Sequence, residues 1–413
     1  MVKNSNSVLV VGFNIRSLAY SLKKAGYNVY AVDFFGDLDL YPYVEDSIIV
    51  VKELSANYNT MKDTYGKFLV DFTISLHRKH RDIKFLLIGS GLDDEYNGRK
   101  LIFDEIKNFN TISVNNRLKT IEKSRDIEYL FHYLKSQGYK VPKYYSFEKF
   151  ELKSNTLDYP FVFKKKRSAG GTNVYKIKDK ANLISQIEIL ENKLFTSSEW
   201  LVQEYVEGIP ISCTVISDGN ECEVITINRQ IIGEKFLNAP KDFMYCGNIV
   251  PAGLSADEEK IISEISMVLT RELGLRGING FDYVLKDKYP YLMECNPRIP
   301  GSIRASESIL NLNLLDLHIR CFINNKWDNI KKLIKSAIPK NFATKLVFFA
   351  PKNIEKSILT KINNLEFVHD KTELTKDVLR GEPLCTVLYV AKNYSKSFNG
   401  AKKIINRIKR IIG

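Results

Sequence analysis

Histidines, paired cysteines and long apolar runs are scarce or missing in this chain of 413 residues, and each shortage excludes a class of protein. There are only five histidines, and no Ser, Cys or His arrangement typical of a nucleophilic triad is visible. The six cysteines form no CxxC pair, and Cys213 and Cys222 lack the paired spacing of a zinc site. No stretch approaches the ~20 apolar residues of a membrane span. We therefore predict reduced thiols in a cytoplasmic protein with no membrane partner.

A secretory leader and a nucleic-acid-binding motif are missing as well. The opening residues, MVKNSNSVLVVG, run directly into a predicted strand, which is not a signal-peptide pattern. The net charge is +13, but lysines and arginines are spread along the chain. We expect no nucleic-acid partner, and interpret the charge as a compositional background with some positive potential for phosphate-bearing ligands. The basic last helix is interpreted as a solvent-exposed face.

What is present is an ordinary globular composition and an early βαβ pattern. The chain is 44% hydrophobic and 26% charged, and it is long enough for two or three domains. Residues 7–35 read as strand, helix and strand, and helix and strand patterns continue to about residue 115, which predicts a doubly wound domain. The loop after the first strand is GFNIRS, with Gly12 as its only glycine, so the dinucleotide fingerprint fails although Asp33 ends the second strand.

The most informative stretch is Gly277–Arg304, which reads GINGFDYVLKDKYPYLMECNPRIPGSIR. It predicts two strands joined by a turn at 287–289, in a hairpin centred on Lys288. Asp282 would then face Glu294, and Gly280 would face Asn296, with side chains of opposed residues roughly 5 Å apart. The other face would be an apolar set fit for a core: Phe281, Tyr283, Leu285, Tyr291, Met293 and Cys295.

Two opposed carboxylates repel each other unless a proton or a cation lies between them. Oxygen ligands of this kind suit Mg²⁺, which takes one or two carboxylates together with substrate phosphate oxygens, and Asn296 adds a neutral oxygen. Arg298 and Arg304 follow in a loop, and each could bind an anion through two hydrogen bonds. The alternative is a solvent-facing pair of polar strands.

The residues ECNPR, preceded by GINGFDYVL, resemble the metal-binding signature of the ATP-grasp superfamily, in particular its ligases of the biotin-carboxylase-related and carboxylate–amine type. The resemblance implies α/β and α+β architecture, with ATP and Mg²⁺ (or Mn²⁺) as cofactors and Asp282, Glu294 and Asn296 as metal ligands. It also implies an N-terminal doubly wound pre-ATP-grasp domain (1–115), an ATP-grasp domain (116–335) and a small C-terminal α+β lobe (336–413). Within the second domain, 118–210 would hold the glycine loop and hinge, and 211–335 the metal.

A strand, a polar glycine-rich loop and a returning strand occupy residues 158–177. Consecutive small residues let backbone N–H groups close around phosphate oxygens, although most such turns are only turns. The segment resembles the superfamily pattern Pro-x-Val-x-Lys-Pro…Gly-Gly, which implies phosphate contacts from Lys164, Ser168, Gly170 and Gly171. Lys165 stands where proline is common.

In two further segments, nucleotide-binding residues are assigned only because the segments resemble parts of this superfamily. WLVQEYVEG matches the hinge that grips adenine, which implies Gln203, Glu204 and Val206 along the adenine edge and Glu207 on the ribose. An ordinary edge strand is the alternative. Lys123 matches a lysine that precedes a helix in the family, although Glu122 replaces the usual Asp.

The C-terminal segment resembles the closing lobe of these ligases through Gly381, Pro383, Cys385 and Thr386. His318, on an amphipathic helix, is interpreted as a packed histidine rather than a ligand.

The predicted activity follows from the resemblance. It implies an ATP-dependent ligase that phosphorylates a small-molecule carboxylate and joins the acyl phosphate to an amine, with Arg298 and Arg304 holding the carboxylate. A bicarbonate-phosphorylating carboxylase of the biotin-carboxylase type is the alternative within the fold, and a non-catalytic ATP-binding regulatory protein is the alternative outside it. A homodimer is compatible with the family.

Overall fold

The N-terminal unit is built on a parallel sheet whose central strand is the apolar run that opens the chain. The computed structural model describes residues 6–61, 64–151, 157–167, 170–191, 196–323, 326–373 and 377–413. The first elements are β1 (Ser7–Gly12), α1 (Arg16–Lys24), β2 (Asn28–Asp33), β3 (Asp46–Ile49), α2 (Val50–Glu53), α3 (Tyr58–Met61), α4 (Tyr65–Lys79), β4 (Phe85–Ile88), α5 (Tyr96–Lys107) and β5 (Ile112–Ser113). Their order in the sheet is β3-β2-β1-β4-β5, with every pair parallel.

This doubly wound arrangement agrees with the sequence pattern, except that β3 was not predicted. Asp33 is buried, and its carboxylate accepts hydrogen bonds from the backbone N–H groups of Ile15 (2.8 Å) and Gly36 (2.6 Å). The acid that a dinucleotide-binding protein would use on a ribose therefore ties two loops together instead.

A four-stranded antiparallel sheet follows, with the order β6-β9-β7-β8. The elements of this region are α6 (Leu118–Ser124), α7 (Ile127–Ser136), β6 (Tyr144–Ser146), α8 (Phe147–Glu151), β7 (Phe161–Lys165), β8 (Val174–Ile177), α9 (Lys180–Glu191) and β9 (Trp200–Glu204). Phe161, Phe163, Trp200 and Val202 form a core on one face of this sheet. Because side chains alternate along a strand, Lys164 and Gln203 lie on the opposite face.

The third sheet has eight strands in the order β14-β13-β10-β11-β12-β15-β17-β16. Its region contains β10 (Ile209–Asp218), β11 (Cys222–Ile232), β12 (Tyr245–Val250), α10 (Ala256–Leu273), β13 (Arg276–Lys286), β14 (Tyr289–Asn296), α11 (Ile303–Leu310), α12 (Leu314–Ile323), α13 (Trp327–Ser336), β15 (Phe342–Phe349), α14 (Lys356–Asn363), β16 (Val368–His369), β17 (Pro383–Ala391) and α15 (Tyr394–Ile412). Strand β15 pairs with β12, so the sheet is continuous across the predicted boundary at residue 335. The three-domain division stays a prediction.

The cysteines and His318 lie in the core. All six cysteines, each within the described residues, are buried free thiols. No helix in the described part of the chain is both long enough and apolar enough to cross a membrane. His318 is buried, accepts a hydrogen bond from the backbone N–H of Ile278 (2.8 Å) and lies 2.9 Å from the carbonyl oxygen of Val114, so it packs as a structural histidine.

This packing predicts a specific loss of stability in acid. Burial lowers the pKa of His318 from 6.5 to about 4, so between these values the unfolded chain binds a proton that the folded chain does not. Stability that is present above pH 6.5 should therefore fall as the pH drops toward 4. We expect His318→Gln to reduce the loss of unfolding free energy between pH 7 and pH 4.5 by about 2–3 kcal/mol, measured by urea unfolding. The matched control, His132→Gln at an exposed position, should leave the slope unchanged.

Candidate active site

The metal-binding candidates lie on the hairpin of β13 and β14, in the predicted register. Asp282 pairs with Glu294, Phe281 with Cys295, and Gly280 with Asn296. The alternation of polar and apolar residues fixes this register, because a one-residue slip would turn Phe281 and Cys295 out of the core.

Nearer the turn, the predicted register is wrong by one residue. Asp287 and Lys288 have positive φ values (50° and 63°) and form a two-residue turn, so Lys286 pairs with Tyr289 and Tyr283 with Leu292. A β-bulge at Met293 then restores the pairing of Asp282 with Glu294. As a result Leu292, rather than Tyr291 and Met293, joins Phe281, Tyr283, Leu285 and Cys295 in the core.

Asp282 is the electrostatically costly member of the pair. Its carboxylate accepts hydrogen bonds from the amides of Gln230 (2.9 Å) and Asn296 (2.9 Å). Burial, and then repulsion from Glu294, raise the pKa of Asp282 from 3.8 to about 7. The pair therefore calls for a proton or a cation at neutral pH.

The residues fit a magnesium ion that is shared with a polyphosphate. The described residues contain no group of three His, Cys, Asp or Glu side chains that would hold a metal alone. Mg²⁺ needs only one or two carboxylates when substrate phosphates complete its shell, and Asp282 and Glu294 supply two. Asn296 uses its amide nitrogen on Asp282, which leaves its amide oxygen as a third ligand atom.

A buried arginine that was not predicted from the sequence holds Glu294. Arg125 donates from Nη1 to Glu294 Oε1 (2.5 Å) and contacts Asp94 at 3.2 Å, and its side chain is only 2% exposed. Burial alone would lower the pKa of Arg125, but the carboxylates of Glu294 and Asp94 raise it. Arg125 directly precedes Asp126, the N-cap of α7, and this local position gives no sign of a partner on β14.

The two arginines predicted after the hairpin differ in position. Arg298 is paired with Asp93, and both line a cavity of about 1730 Å³ whose wall also includes Asp282 and Glu294. Arg304 is not among the described residues on this wall, because its guanidinium lies 3.8 Å from Glu307 and packs 4.3 Å from the ring centre of Tyr20.

The predicted phosphate-binding residues face the same cavity. Lys164 donates to the carbonyl oxygen of Met293 (3.3 Å), and burial lowers its pKa to about 8 despite the attraction of Glu294. Gly170 and Gly171 also line the cavity, with φ values of 65° and 73°. A Cβ atom at Gly171 would lie 1.9 Å from the carbonyl oxygen of Phe243, so only glycine fits there. Ser168 lies outside the described residues.

The hinge residues divide into two groups. Gln203, Glu204 and Val206 line the cavity, whereas Glu207 is exposed and, among the described residues, is not on its wall. Gln203 is 2% exposed, and its Oε1 accepts no hydrogen bond from the described part of the chain.

Lys123 is placed away from these groups. Its ammonium pairs with Glu272 (2.7 Å) and lies over the ring of Tyr129, and it does not belong to the described wall of the cavity. From the lobe at the C-terminus, Gly381, Pro383, Cys385 and Thr386 do reach that wall.

Comparison with known proteins supplies the family. Residues 128–302 match the family model of the ATP-grasp domain. The chain contains an ATP-grasp domain. An uncharacterized protein of Methanocaldococcus jannaschii is 27% identical over 404 residues, which cover 94% of this chain and 89% of that protein. The D-alanine–D-alanine ligase of Leptospira interrogans serovar copenhageni is 25% identical over 184 residues, covering 41% of this chain and 51% of the ligase.

A solved structure confirms the predicted ATP-grasp fold. The L-amino acid ligase from Bacillus licheniformis superposes with a TM-score of 0.68 at 14% identity, covering 98% of each chain. At 14% identity, this likeness is evidence for the fold alone. Its coverage shows that the likeness of fold extends beyond residues 128–302 to nearly the whole chain.

Within this ATP-grasp fold, Gln203 Oε1, which has no donor among the described residues, predicts two opposite effects of a substitution. A buried acceptor without a donor costs about 1–3 kcal/mol, and the amino group of adenine would supply the missing donor. Replacing Gln203 by Met should therefore stabilise the free protein by about 1 kcal/mol while raising the Kd for ATP roughly tenfold. Thermal unfolding with and without ATP measures both effects, and Gln137→Met, at an exposed position, is the control. Loss of stability without loss of ATP affinity would contradict the assignment.

Proposed function

We propose that the chain is an ATP-dependent carboxylate–amine ligase. The observation that carries the proposal is the pair of opposed carboxylates, Asp282 and Glu294, which shares one cavity with Lys164 and Arg298. The ATP-grasp domain and the D-alanine–D-alanine ligase relative support ATP-dependent ligation, and they fit the bicarbonate-phosphorylating alternative less well.

The first step transfers the γ-phosphoryl group of ATP to a carboxylate oxygen of the substrate and releases ADP. Asp282, Glu294 and Asn296 would hold magnesium, which neutralises phosphate charge when bound. Lys164 binds phosphate oxygens, and the backbone of Gly170 and Gly171 closes over them and excludes water. Binding to the phosphates favours the charged form of Lys164, which burial disfavours in the free protein.

In the second step an amine attacks the acyl carbon, the bond from that carbon to the phosphate oxygen breaks, and phosphate leaves with the electron pair. The amine loses a proton as the amide forms, and the departing phosphate takes it up. Arg298, already paired with Asp93, holds the carboxylate and stabilises the negative oxygen of the tetrahedral intermediate. Arg304 takes no part, because Glu307 and Tyr20 occupy it.

Hydroxylamine tests this scheme without knowledge of the natural amine. It attacks an acyl phosphate to give a hydroxamate, which is measured by its colour with ferric ion. With Mg²⁺ and ATP, we expect hydroxamate and ADP in equal amounts only when a suitable acid is present. ADP release that needs bicarbonate and yields no hydroxamate with any acid would favour the carboxylase instead.

A further inference from the structure

Four aromatic rings stand at the carboxyl end of the parallel sheet, on the wall of the catalytic cavity. Phe13 follows β1, Phe35 follows β2, Tyr58 lies on α3 and Tyr65 begins α4. We call these four residues the aromatic box. All four are only partly buried, and all four line the cavity.

The rings of the box pack as one group around Phe13. The ring centre of Phe13 lies 4.9 Å from Phe35, 5.8 Å from Tyr58 and 5.0 Å from Tyr65, and Phe34 closes the back at 4.9 Å. Phe34 is fully buried in the domain core, so the box is a rigid extension of that core into the cavity. Aromatic rings that line a cavity in this way are typical of the walls of small-molecule sites.

Its place in the sheet points to the same conclusion. In the order β3-β2-β1-β4-β5, the chain passes from β1 to β2 and β3 on one side of β1. It then crosses to β4 on the other side. The crevice between the carboxyl ends of two such strands is where open α/β sheets bind ligands. Phe13 and Gly91 meet there, and the backbone N–H of Phe13 donates to the carbonyl oxygen of Ser90 (2.8 Å).

The box adjoins the residue proposed to hold the substrate carboxylate. Arg298 is paired with Asp93, and Asp93 also accepts a hydrogen bond from the backbone N–H of Gly91 (3.1 Å). Burial, and then the Asp93 carboxylate, raise the pKa of Tyr65, whereas Arg298 opposes the shift, so both charges are near the phenol. Arg298, Tyr65 and Phe13 line the same cavity, so a group attached to a carboxylate bound by Arg298 can lie against these rings.

The cavity has room for this second ligand. Its volume of about 1730 Å³ exceeds the ~300–1,000 Å³ of a site for one drug-sized ligand. The hinge and Lys164 form the nucleotide end, on sheet β6-β9-β7-β8. The box adjoins the N-terminal parallel sheet instead, so a nucleotide bound at the hinge would leave the box open to the acid substrate.

We propose that the acid substrate carries an aromatic or large branched apolar group, which the aromatic box binds while Arg298 holds its carboxylate. This inference rests on the proposed ligase function and names its acid substrate class. Small hydrophilic acids would leave the rings facing water and would bind weakly.

The hydroxylamine assay on the full chain tests the substrate class with acetate, 3-methylbutanoate, phenylacetate and 3-phenylpropanoate at saturating MgATP. We expect the KM for the aromatic acids to be at least about tenfold lower than that for acetate, since even one methylene changes discrimination roughly 10- to 200-fold. Phe35→Ala should raise the KM for the aromatic acids tenfold or more and leave the KM for ATP within twofold. Phe72→Ala, a partly buried ring on α4 outside the described cavity wall, is the matched control and should change neither.

Three results would overturn the inference. The first two are equal KM values across the acid series and indistinguishable Phe35→Ala and Phe72→Ala enzymes. Selectivity for aromatic amines together with small acids would also overturn it, because the box would then serve the acceptor. Calorimetric titration with phenylacetate in the presence of MgADP separates this inference from the proposed function. Binding that Phe35→Ala abolishes, with no hydroxamate from any acid, would support the box and refute the ligase.

Discussion

Replacing Glu294 by Gln is expected to lower the rate of ADP release roughly 10²- to 10³-fold while the fold is retained, a loss of the size seen when one electrostatic contact to a transition state is removed. The two side chains have nearly the same shape, so the packing around β14 is kept. The substitution removes one of the two carboxylates available to magnesium and so weakens the neutralisation of phosphate charge. It also leaves Asp282 without its opposed charge, although burial still raises the pKa of Asp282.

Measuring the rate of ADP release against Mg²⁺ concentration distinguishes weaker metal binding from a disturbed fold. The variant should need a much higher Mg²⁺ concentration for half-maximal rate. Without metal it should still unfold cooperatively and lose less stability than Arg125→Met, because Arg125 keeps its contact with Asp94 and the buried Asp282 is relieved of the repulsion from Glu294. Glu272→Gln is the matched control, since Glu272 also pairs with a cation, Lys123, but lies off the described cavity wall. An unchanged rate and Mg²⁺ dependence in Glu294→Gln would remove the basis of the proposed mechanism.

The hairpin shows how far sequence reasoning reaches. The pairing of Asp282 with Glu294 could be predicted because polar and apolar residues alternate on both strands, and burial of one face allows only one register. The offset near the turn could not be predicted from alternation. It depends on whether two or three residues make the turn, and Asp287 and Lys288 both adopt positive φ without a glycine.

Contacts between segments that are far apart in the sequence could not be predicted from local sequence patterns. Arg125 and Glu294 are separated by 169 positions, so their ion pair exists only once the sheets are assembled. The pairing of β15 with β12 has the same origin, because an apolar strand pattern does not name its partner. The family resemblance singled out Lys164, Asp282 and Glu294, which line one cavity, whereas Arg125 has no place in the motifs considered.

The choice of Lys123 rather than Arg125 as the cationic residue has a physical explanation. Successive helical residues are rotated by about 100°. Lys123, in the last turn of α6, and Arg125, just after it, therefore point in nearly opposite directions. One reaches Glu272 on α10 and the other reaches Glu294 on β14. A motif search that accepts a lysine within a few positions cannot distinguish the two directions.

Replacing Arg125 by Met should therefore have a large effect where Lys123→Met has little. Arg125 neutralises Glu294 and Asp94 from a buried position, and removing one partner of a buried ion pair typically costs about 3–5 kcal/mol. Because Glu294 and Asp94 are about one-third exposed, water compensates in part, and we expect a loss of about 2–4 kcal/mol in urea unfolding. The pair of Lys123 with Glu272 is more exposed, and its loss should cost at most about 1 kcal/mol.

The same variants test which cation serves the nucleotide site. In Arg125→Met the carboxylate of Glu294 loses its anchor, so ADP release should fall at least about tenfold even at temperatures where the variant is folded, since misplacement of a ligand by 1 Å can cost about a hundredfold. Arg125→Lys keeps the charge but cannot bridge both carboxylates, so its rate of ADP release should lie between those of the wild type and Arg125→Met. If Lys123→Met instead raised the KM for ATP and Arg125→Met did not, the family match at Lys123 would be right, and the ion pair with Glu272 would have to open when ATP binds.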